Sequence, residues 1–570
     1  MKKKIGVYIC HCGGNISDYV DVEKVRQAIE NEGGVLLSKT TMFACSDSNQ
    51  KDMVDDIKNY DLDGVIVASC SPKLHLTTFR NVSERAGLNK YNYVHANIRE
   101  QVSWAHSDDK VGATEKAIHI VKAAIAKDRF AESLESNVIE ARKAVAVIGG
   151  GIAGMKAALT LSDMDCQVYI IEREPYLGGR IAQWGPLFTT NETGKDLVNR
   201  LYDKLASREN VIIFKSAEVI GNAGSIGDFK LKIKVTDQNE IIEINVGSVL
   251  MATGFDPYTP KDGEFGYSQL DNVITLTEFK QMVEQGDKLL VYKGKVVKNI
   301  AYIYCVGSRE TEGENTYCSR YCCTSTIHTA LLAKKKFANI YNYHFTRGVR
   351  TYGKQEILYA ESLALGDIYL QSNEDTPPDV FQNGGKTIVK VSDILTTGRE
   401  IEVEADLVVL VTGMVPRENN QVGTLFKLPK GRDKFFNEIH MKLRPVETVI
   451  DGVTICGTCQ GPKNILETVN SALSAATKSF SYVSKGVLET EPIVAEIDTE
   501  ACSWCDACSE ACPFDAISKI ENGTKSIAVI NNSVCKGCGM CTPVCPTDAI
   551  DLVTFSNKEI ESMIDALAND

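Results

Sequence analysis

Residues 144–154 read Ala144-Val-Ala-Val-Ile-Gly149-Gly-Gly151-Ile-Ala-Gly154, an apolar run that leads into glycines spaced G-x-G-x-x-G. This pattern predicts a buried strand, a tight turn and the start of a helix, where the glycines let a pyrophosphate approach the helix N-terminus. Glu172 follows 23 residues after Gly149, at the end of the apolar run Val168–Ile171, where an acid accepts a ribose hydroxyl. The stretch therefore indicates an α/β domain that binds a dinucleotide.

Further residues narrow the dinucleotide to FAD. The glycine pattern alone is a weak signal, because a tight turn without a nucleotide or an NAD site also shows it. Gly178-Gly179-Arg180 and Ala252-Thr253-Gly254 complete a set that is typical of FAD in disulfide-reductase-like flavoproteins. Ile455-Cys456-Gly457, followed by Gln460, occupies the usual place of the flavin-ring segment. The predicted FAD-binding residues are Gly149, Gly151, Gly154, Glu172, Arg173, Gly179, Arg180, Ala252, Thr253, Gly254, Gly457 and Gln460.

A second nucleotide-binding unit is nested in the first, but it lacks a glycine fingerprint. The segments 249–254 and 407–413 are nearly the same in sequence, and each is expected to end a strand that crosses between the two units. The predicted strand 299–304 runs into Cys305-Val-Gly-Ser-Arg309, which has one glycine and no G-x-G-x-x-G. A nicotinamide pyrophosphate therefore has no cradle there.

Four cysteines stand at this position instead. Cys305, Cys318, Cys322 and Cys323 lie within 19 residues and supply the ligand set of one [4Fe–4S] cluster. The alternative is a group of buried or redox-active thiols, but adjacent cysteines rarely form a strain-free disulfide. A cluster here would deliver single electrons to the flavin, whereas a nicotinamide would deliver a hydride.

The C-terminal region carries the most specific motif of the chain. Cys502-x-x-Cys505-x-x-Cys508-x-x-x-Cys512-Pro513 is repeated from Cys535 to Pro546. In two-cluster ferredoxins the fourth cysteine of each run binds the other cluster. The predicted ligand sets are Cys502, Cys505, Cys508 and Cys545 for one cluster, and Cys512, Cys535, Cys538 and Cys541 for the other. Two structural zinc sites are the alternative, but zinc typically uses two separated pairs of ligands.

Three cysteine segments near the N-terminus predict one more site. They are Cys10-His11-Cys12, Phe43-Ala-Cys45 and Ala68-Ser-Cys70, and each follows a strand or lies in a loop at one end of the expected sheet. Ligands bind at such clefts of open sheets. Cys10, Cys12, Cys45 and Cys70 are therefore candidate ligands of a further cubane, with buried structural cysteines as the alternative.

Three cysteines remain outside these groups. Cys166 is expected to be a core residue. Cys456 and Cys459 form a C-x-x-C pair that a redox or metal site would also show. We favour packing beside the flavin for this pair, because it stands next to the expected flavin-ring segment.

Composition limits the class of protein. The chain has 570 residues, 44% hydrophobic and 24% charged, with a net charge of −13. An acidic chain argues against a nucleic-acid partner. No stretch has the ~18 apolar residues of a membrane span, and the N-terminus lacks a secretory apolar region. A cytoplasmic location is therefore expected, where 19 cysteines indicate metal binding because disulfides are rare.

Taken together, these segments resemble the A subunit of heterodisulfide reductase, the flavin and iron–sulfur component found in methanogens and many anaerobic bacteria. The resemblance covers nearly the whole chain and is most specific at Tyr317-Cys-Ser-Arg-Tyr-Cys-Cys323. It rests further on Val7–Asn15, Ala68–His75, Cys305–Arg309, Cys459–Lys463, the flavin fingerprint and the C-terminal ferredoxin. It implies one FAD, a cubane on 305–323, a cubane in the N-terminal domain and transfer of electrons to partner subunits, with flavin-based bifurcation in the better-studied members.

The chain departs from the family pattern at two places. Methanogen members carry a second ferredoxin inserted in the FAD domain, whereas 229–244 is only a hairpin here. The family also has a lysine near the flavin five residues after the double cysteine, and this chain has His328. A histidine is often neutral where a lysine is cationic, which weakens the transfer of bifurcation to this chain. His328 is the candidate catalytic residue.

The resemblance and the patterns together predict an α/β fold class with three modules. These are a small N-terminal α/β domain, a thioredoxin-reductase-like FAD core with nested dinucleotide-binding units, and a C-terminal α+β two-cluster ferredoxin. The expected boundaries are 1–130 for the first domain, 131–143 for a linker, 144–484 for the core, 485–552 for the ferredoxin and 553–570 for a tail helix.

Local patterns give more detailed expectations. Strands are predicted at 5–10 and 64–68 and a helix at 22–32. A long helix is predicted over 98–127, a helical linker over 127–143, a loop over 371–387 and an exposed amphipathic helix over 556–570.

The function expected from the sequence is electron relay, possible bifurcation included, through one FAD and four [4Fe–4S] clusters. The expected partners are other subunits of a heterodisulfide-reductase-like complex, a hydrogenase- or dehydrogenase-type donor and a ferredoxin, with the chain as a homodimer inside that complex. Two other classes stay open. One is an NAD(P)H-dependent reductase that acts alone, and the other is a scaffold that docks a ferredoxin.

Overall fold

The computed structural model describes residues 3–568 except 189, 191, 419 and 524. The chain forms two compact units. The first joins both ends of the chain, Met1–Val138 with Glu489–Asp570, and the second is Ile139–Leu488.

The N-terminal part of the first unit is a parallel sheet of four strands in the order β2-β1-β3-β4. Strands β1 and β3 are buried along their whole length, as the apolar runs at 5–10 and 64–68 predicted. Because the strands are parallel, their carboxyl ends meet at one edge. The elements are β1 (Ile5–Cys10), α1 (Val22–Ile29), β2 (Val35–Thr41), α2 (Asp47–Tyr60), β3 (Gly64–Ser69), α3 (Pro72–Ala86), β4 (Tyr93–Asn97) and α4 (Lys110–Asp128).

The long helix expected over 98–127 is wrong. A π-helical turn occupies Arg99–Ser103, and α4 begins only at Lys110. The Asp109 side chain accepts a hydrogen bond from the Gly112 N–H, so it caps a new helix. The helical linker over 127–143 is also wrong, because α4 ends at Asp128 and the next element is strand β5 (Asn137–Glu140).

The second unit contains two parallel five-stranded sheets, one for each nested nucleotide-binding unit. The first sheet has the order β25-β12-β6-β7-β8 and carries the glycine fingerprint between β6 and α5. A three-stranded antiparallel meander, β9 to β11, extends the hairpin expected at 220–247. Its elements are β6 (Ala144–Ile148), α5 (Ile152–Asp163), β7 (Gln167–Ile171), α6 (Gly194–Ala206), β8 (Val211–Phe214), β9 (Ala217–Ser225), β10 (Asp228–Val235), β11 (Glu240–Val246) and β12 (Ser248–Met251).

The second sheet has the order β14-β23-β17-β18-β19. Strands β20 to β22 form an antiparallel meander, so the loop expected over 371–387 is wrong in its second half. The elements are β13 (Phe255–Pro257), β14 (Val273–Thr275), α7 (Leu276–Gln285), β15 (Val291–Tyr292), β16 (Lys295–Val296), β17 (Asn299–Val306), α8 (Cys322–Lys336), β18 (Tyr341–Thr346), α9 (Glu356–Ala364), β19 (Ile368–Gln371), β20 (Asp379–Asn383), β21 (Lys386–Asp393), β22 (Arg399–Ala405), β23 (Leu407–Thr412), β24 (Met414–Pro416), α10 (Asn420–Leu425), β25 (Val453–Ile455) and α11 (Ile465–Val483).

The two crossings between the nested units pair with each other. The segments 249–254 and 407–413 contain β12 and β23, which belong to the first and the second sheet respectively. Each is followed by a short strand, and these strands, β13 and β24, are hydrogen-bonded antiparallel. The near-repeat in the sequence therefore marks the crossings that were expected from it.

The C-terminal part of the first unit has two antiparallel strand pairs, β27–β30 and β28–β29. The tail helix α13 packs against α4 on one side, where the Lys127 Nζ lies 3.7 Å from the centre of the Phe555 ring. Its other side leaves Ile560, Ile564 and Leu567 exposed, as expected for an amphipathic helix, although residues 569 and 570 lie outside the described part. The elements are β26 (Val487–Thr490), β27 (Ala495–Ile497), α12 (Ala507–Ala511), β28 (Ile517–Asn522), β29 (Lys525–Ile530), β30 (Ile550–Leu552) and α13 (Asn557–Ala568).

In the part of the chain that the structure describes, no helix has the length and apolarity needed to cross a membrane.

Asp128, the last residue of α4, predicts a pH dependence of stability. Its carboxylate is buried without a hydrogen-bond partner for either oxygen, and burial raises its pKa from 3.8 to about 7. Because the folded state holds this proton more tightly, stability falls as pH rises from 4 to 7 and levels off above, with a ceiling of about 4 kcal/mol. Thermal scans should show that the difference in melting temperature between Asp128→Asn and the parent increases from pH 4 to pH 8.

The control is Asp61→Asn, which removes an exposed carboxylate paired with Lys4. The pKa of Asp61 is lowered by that lysine, so its removal should not favour the variant as pH rises. A constant difference between Asp128→Asn and the parent across this range would contradict the prediction.

Candidate functional site

A cavity of about 1350 Å³ in the second unit collects most of the predicted FAD-binding residues. It opens at the carboxyl edge of the first sheet, where the fingerprint loop follows β6, and it reaches α7 and α8 of the second nested unit. Ten of the predicted residues line it: Gly149, Gly151, Glu172, Arg173, Gly179, Arg180, Ala252, Thr253, Gly254 and His328.

The fingerprint glycines have the geometry of a dinucleotide cradle. Gly149 has a φ of +109° and lies against the backbone of Ala252, so a side chain there would collide with the crossing strand. Gly154 lies against the Gly149 carbonyl, which lets α5 pack close to the turn. Gly151, in contrast, has open space around its missing side chain and caps the N-terminus of α5. The loop therefore leaves room for a pyrophosphate at the positive end of this helix.

Glu172 and a set of arginines occupy the nucleotide end of the cavity. The Glu172 carboxylate accepts hydrogen bonds from the N–H groups of Gly150 at 2.6 Å and Glu174 at 2.9 Å, which hold it beside the turn. Asp256 accepts hydrogen bonds from Arg180 at 2.5 Å and from Arg417 at 3.2 Å. The Arg180 Nε is buried without a partner, as expected if it donates to a bound anion.

Three predicted FAD-binding residues do not line the cavity. Gly154 acts through helix packing, as described above. Gly457 and Gln460 are replaced in the wall by their neighbours Thr458 and Lys463. The Gln460 amide instead donates to Glu438 at 2.8 Å and to the Pro445 carbonyl at 2.6 Å. The flavin-ring segment is thus in the expected place, with different side chains facing the cavity.

His328 lines the cavity on α8, as predicted, in an apolar and cationic setting. Its ring packs edge-to-face on Phe188 at 6.0 Å between centroids. Burial, followed by the positive charges of Lys280 and Lys335, lowers the pKa of His328 to about 4. The imidazole is therefore neutral at physiological pH, and it does not supply the charge of a lysine at this position.

Some lining residues were not found by reasoning from the sequence. Trp184 and Tyr321 stack at 6.1 Å with an interplanar angle of 4°, and Lys280 covers the other part of the indole. Arg417 follows the second crossing strand. None of these residues belongs to a motif, because each reaches the cavity only through the tertiary arrangement of the two nested units.

The cysteines at 305–323 come together at the carboxyl end of β17 and the start of α8. Cys305 lies in the last turn of the strand with a φ of +61°, and Cys322 and Cys323 open the helix. Electrostatic interaction links Cys322 to Cys305, Cys318 and Cys323. Burial, together with these neighbours, raises the pKa of Cys322 well above its usual range and that of Cys323 to about 12. Four crowded thiols of this kind favour a metal, which would deprotonate and bind them.

Backbone N–H groups point at these sulfurs. The Arg350 N–H donates to Cys323 Sγ and the Arg320 N–H to Cys318 Sγ, both at 3.4 Å. Hydrogen bonds to the sulfurs set the potential of an iron–sulfur cluster. The donor set and its surroundings therefore fit a [4Fe–4S] cluster.

The four N-terminal cysteines also meet at one edge of their sheet. Electrostatic interaction links Cys10 with Cys12 and Cys45, and Cys70 with Cys12 and Cys45. Burial raises the pKa of Cys10 to about 11, although the N–H groups of Cys12 and Ala44 donate to its sulfur. The convergence and the N–H donors resemble those of the core block.

In the ferredoxin part, the structure brings together the cysteines of the crosswise assignment. Electrostatic interaction links Cys541 with Cys535, Cys538 and Cys512, and a small pocket is lined by the same four residues. Cys508 interacts with Cys502 and Cys505. Cys545 packs in the same small core as Cys502 and Cys508 and accepts from the Ala549 N–H at 3.2 Å.

The remaining cysteines lie apart from these groups. Cys166 is fully buried in the core of the first nested unit, as expected. Cys456 and Cys459 are buried in two different cores, Cys456 with the α5 and α11 side and Cys459 with the meander side. Burial raises the pKa of both thiols. This arrangement favours packing over a redox pair.

Within the described residues, no three His, Cys, Asp or Glu side chains are placed to hold a single metal ion.

Comparison with known proteins agrees with these features. Residues 495–552 match the model of the 4Fe-4S dicluster domain, and residues 143–297 match that of the pyridine nucleotide-disulphide oxidoreductases. The chain is 34% identical to the second iron–sulfur A subunit of the CoB–CoM heterodisulfide reductase of Methanopyrus kandleri over 609 aligned residues, which cover 92% of each protein. The chain belongs to the family of heterodisulfide reductase A subunits.

Another relative in this family is the A subunit of the H2:CoB–CoM heterodisulfide,ferredoxin reductase of Methanothermobacter thermautotrophicus, which is also 34% identical over 92% of each protein. Among solved structures, thioredoxin reductase of T. acidophilum is similar, with 15% identity and a TM-score of 0.42 over 60% of this chain and 99% of that one.

Membership in this family confirms the expected class of protein. The chain is an oxidoreductase and an electron-transfer subunit with a flavin domain and iron–sulfur clusters. The expected fold class is confirmed by the two nested parallel sheets and by the dicluster module. Because it is one subunit of a complex, it works with other polypeptides.

Proposed function

We propose that the chain relays electrons between partner subunits through one FAD and four [4Fe–4S] clusters. The observation that carries the proposal is the double role of α8. The helix opens with Cys322 and Cys323, and its next turns line the FAD cavity with Thr324, Ser325 and His328. A cluster on these cysteines would stand within two helical turns of the cofactor.

The residues of the chain determine what this arrangement does. FAD, when bound, exchanges electrons in pairs or one at a time, whereas a cubane carries one electron. The fingerprint loop and Arg180 would hold the pyrophosphate, and Trp184, Tyr321 and Phe188 would cover the flavin end from water. The proposed metal ligands are the sixteen cysteines of the N-terminal, core and ferredoxin groups.

The cofactor count tests this proposal directly. The protein purified without oxygen should contain about sixteen irons per FAD, four for each site. About eight irons per FAD would mean that only the ferredoxin module holds clusters, and the relay through 305–323 would then be wrong.

A self-sufficient NAD(P)H-dependent reductase is the second candidate, because the oxidoreductase model matches residues 143–297. That match ends before the second nested unit, where a nicotinamide would bind and where the cysteines stand. We therefore expect the isolated chain to be reduced slowly by NADPH and rapidly by a reduced one-electron donor. Rapid bleaching of the flavin by NADPH would favour the reductase instead.

We propose simple relay as the basal activity and bifurcation as dependent on the flavin environment. The name of the Methanothermobacter relative includes both heterodisulfide and ferredoxin, so that complex connects two acceptors. Here His328 is neutral and cannot by itself stabilise a negative flavin. The proposed partners are the other subunits of such a complex, a hydrogenase- or dehydrogenase-type donor and a ferredoxin, with the chain as a homodimer.

A further inference from the structure

Lys280 projects from α7 toward the FAD cavity. The helix is fixed at its start by a capping box between Thr275 and Glu278, and its apolar side buries Phe279 and Val283 in the core. This orientation leaves Lys280 in the cavity wall, with its Nζ 4.7 Å from the centre of the Trp184 ring.

Lys280 has no counter-charge in the described part of the chain. No hydrogen bond or ion pair reaches its Nζ, and Glu284, one turn further along α7, lines the same cavity without pairing with it. Burial alone lowers the pKa of Lys280 to about 8. A half-buried ammonium without a partner costs free energy unless a bound group supplies the negative charge.

The other lysines of the cavity wall are already engaged or exposed. Lys335 pairs with Glu361 at 2.6 Å, and Lys336 donates at 2.9 Å to the last carbonyls of α7. Lys463 donates to the Gly457 carbonyl at 3.2 Å. Lys354 lies on the exposed rim.

Lys280 lies at the flavin end of the cavity. The fingerprint glycines bind the pyrophosphate and Glu172 the ribose of the adenosine, so the flavin ring extends to the opposite end. That end is formed by Trp184, Tyr321, His328 and the segment after β25, and Lys280 contacts the first of these. The imidazole of His328 beside it carries no charge at neutral pH.

We propose that Lys280 is the cation that faces the flavin and stabilises its reduced, negatively charged form. Two electrons from the clusters and one proton from solvent leave one net negative charge on the flavin ring. A fixed ammonium in a cavity from which water is largely excluded favours that charge more than it would in water. The inference rests on the proposed electron relay for its source of electrons, but it concerns only the flavin.

The test is the midpoint potential of the flavin in the intact holoprotein, measured by redox titration at pH 7. Lys280→Gln should shift the ratio of oxidised to reduced flavin about tenfold toward the oxidised form at a fixed potential, which is about 30 mV for a two-electron couple. Lys280→Arg keeps the charge and should stay close to the parent. Flavin content, read from the visible absorbance, shows that the cofactor is still bound in both.

Lys335→Gln is the matched control, because Lys335 lines the same cavity but is paired with Glu361. Its potential should remain at the parent value. An unchanged potential in Lys280→Gln, or an equal shift in Lys335→Gln, would overturn the assignment. Failure of the relay would appear separately, as a low iron content with the flavin shift intact.

Discussion

Replacing Cys322 with alanine is expected to reduce the iron content of the anaerobically purified protein by about four atoms per FAD, while the FAD remains bound. Cys322 is buried at the start of α8 and interacts with the three other cysteines of the core block. Three thiols cannot complete the ligand set of a stable cubane. Iron and flavin assays, together with electron paramagnetic resonance of the reduced protein, measure the loss.

The same substitution should interrupt electron flow. If the core cluster connects the ferredoxin module to the flavin, reduction of the flavin by reduced ferredoxin should slow by roughly 10- to 100-fold, the range seen when a metal site is disturbed. Stopped-flow absorbance of the flavin measures this rate. The resonance signals of the other clusters should persist, because their ligands lie in the first unit.

Cys166→Ala provides the control for both measurements. Cys166 is also a fully buried cysteine of the second unit, but it lies in the core of the first nested unit and away from the block. Its loss should leave iron, FAD and the rate unchanged. A full iron complement in Cys322→Ala would show that no cluster binds there.

The parts of the site that the sequence predicted are those encoded by local spacing. A cubane needs thiolates at short intervals, and a pyrophosphate needs glycines at one strand-to-helix turn, so both leave a signature within a few dozen residues. The carboxyl edge of β6 and the start of α8 were therefore expected, and the structure places them at the same cavity.

Elements that depend on a single polar residue were harder to predict. The periodic run over 98–127 suggested one helix, but the Asp109 side chain caps a new helix at Lys110. The segment 371–387 is rich in Asn, Asp, Pro and Gly, which is typical of loops, yet β20 starts at Asp379 because β21 and β22 pair with it. Strand pairing over such distances overrides local preference.

The opposite wall of the cavity could not be predicted from the sequence. Trp184, Lys280 and Arg417 come from three separate segments, and none of them belongs to a motif. They meet because the two nested units cross at β13 and β24. A single sequence contains no record of that convergence, so the charge beside the flavin end became visible only in the structure.

Gly151→Val is expected to abolish FAD binding while the protein still folds and keeps its iron. Gly151 has a φ of −71°, which any residue adopts, and no protein atom lies within 4 Å of the position of an added Cβ. The new side chain would instead enter the cavity at the N-terminus of α5, where the pyrophosphate binds. The loss of visible flavin absorbance at an unchanged iron content measures this effect.

Two other glycines make the result specific. Gly149→Val should fail for a different reason, because Gly149 has a φ of +109° and lies against the Ala252 backbone, so the fold itself is strained. Gly221→Val, on strand β9, meets only the flexible side chain of Lys232 at 3.3 Å and should retain FAD. Retention of FAD in Gly151→Val would mean that the cofactor does not approach this turn, and the fingerprint would then be a structural turn without a nucleotide.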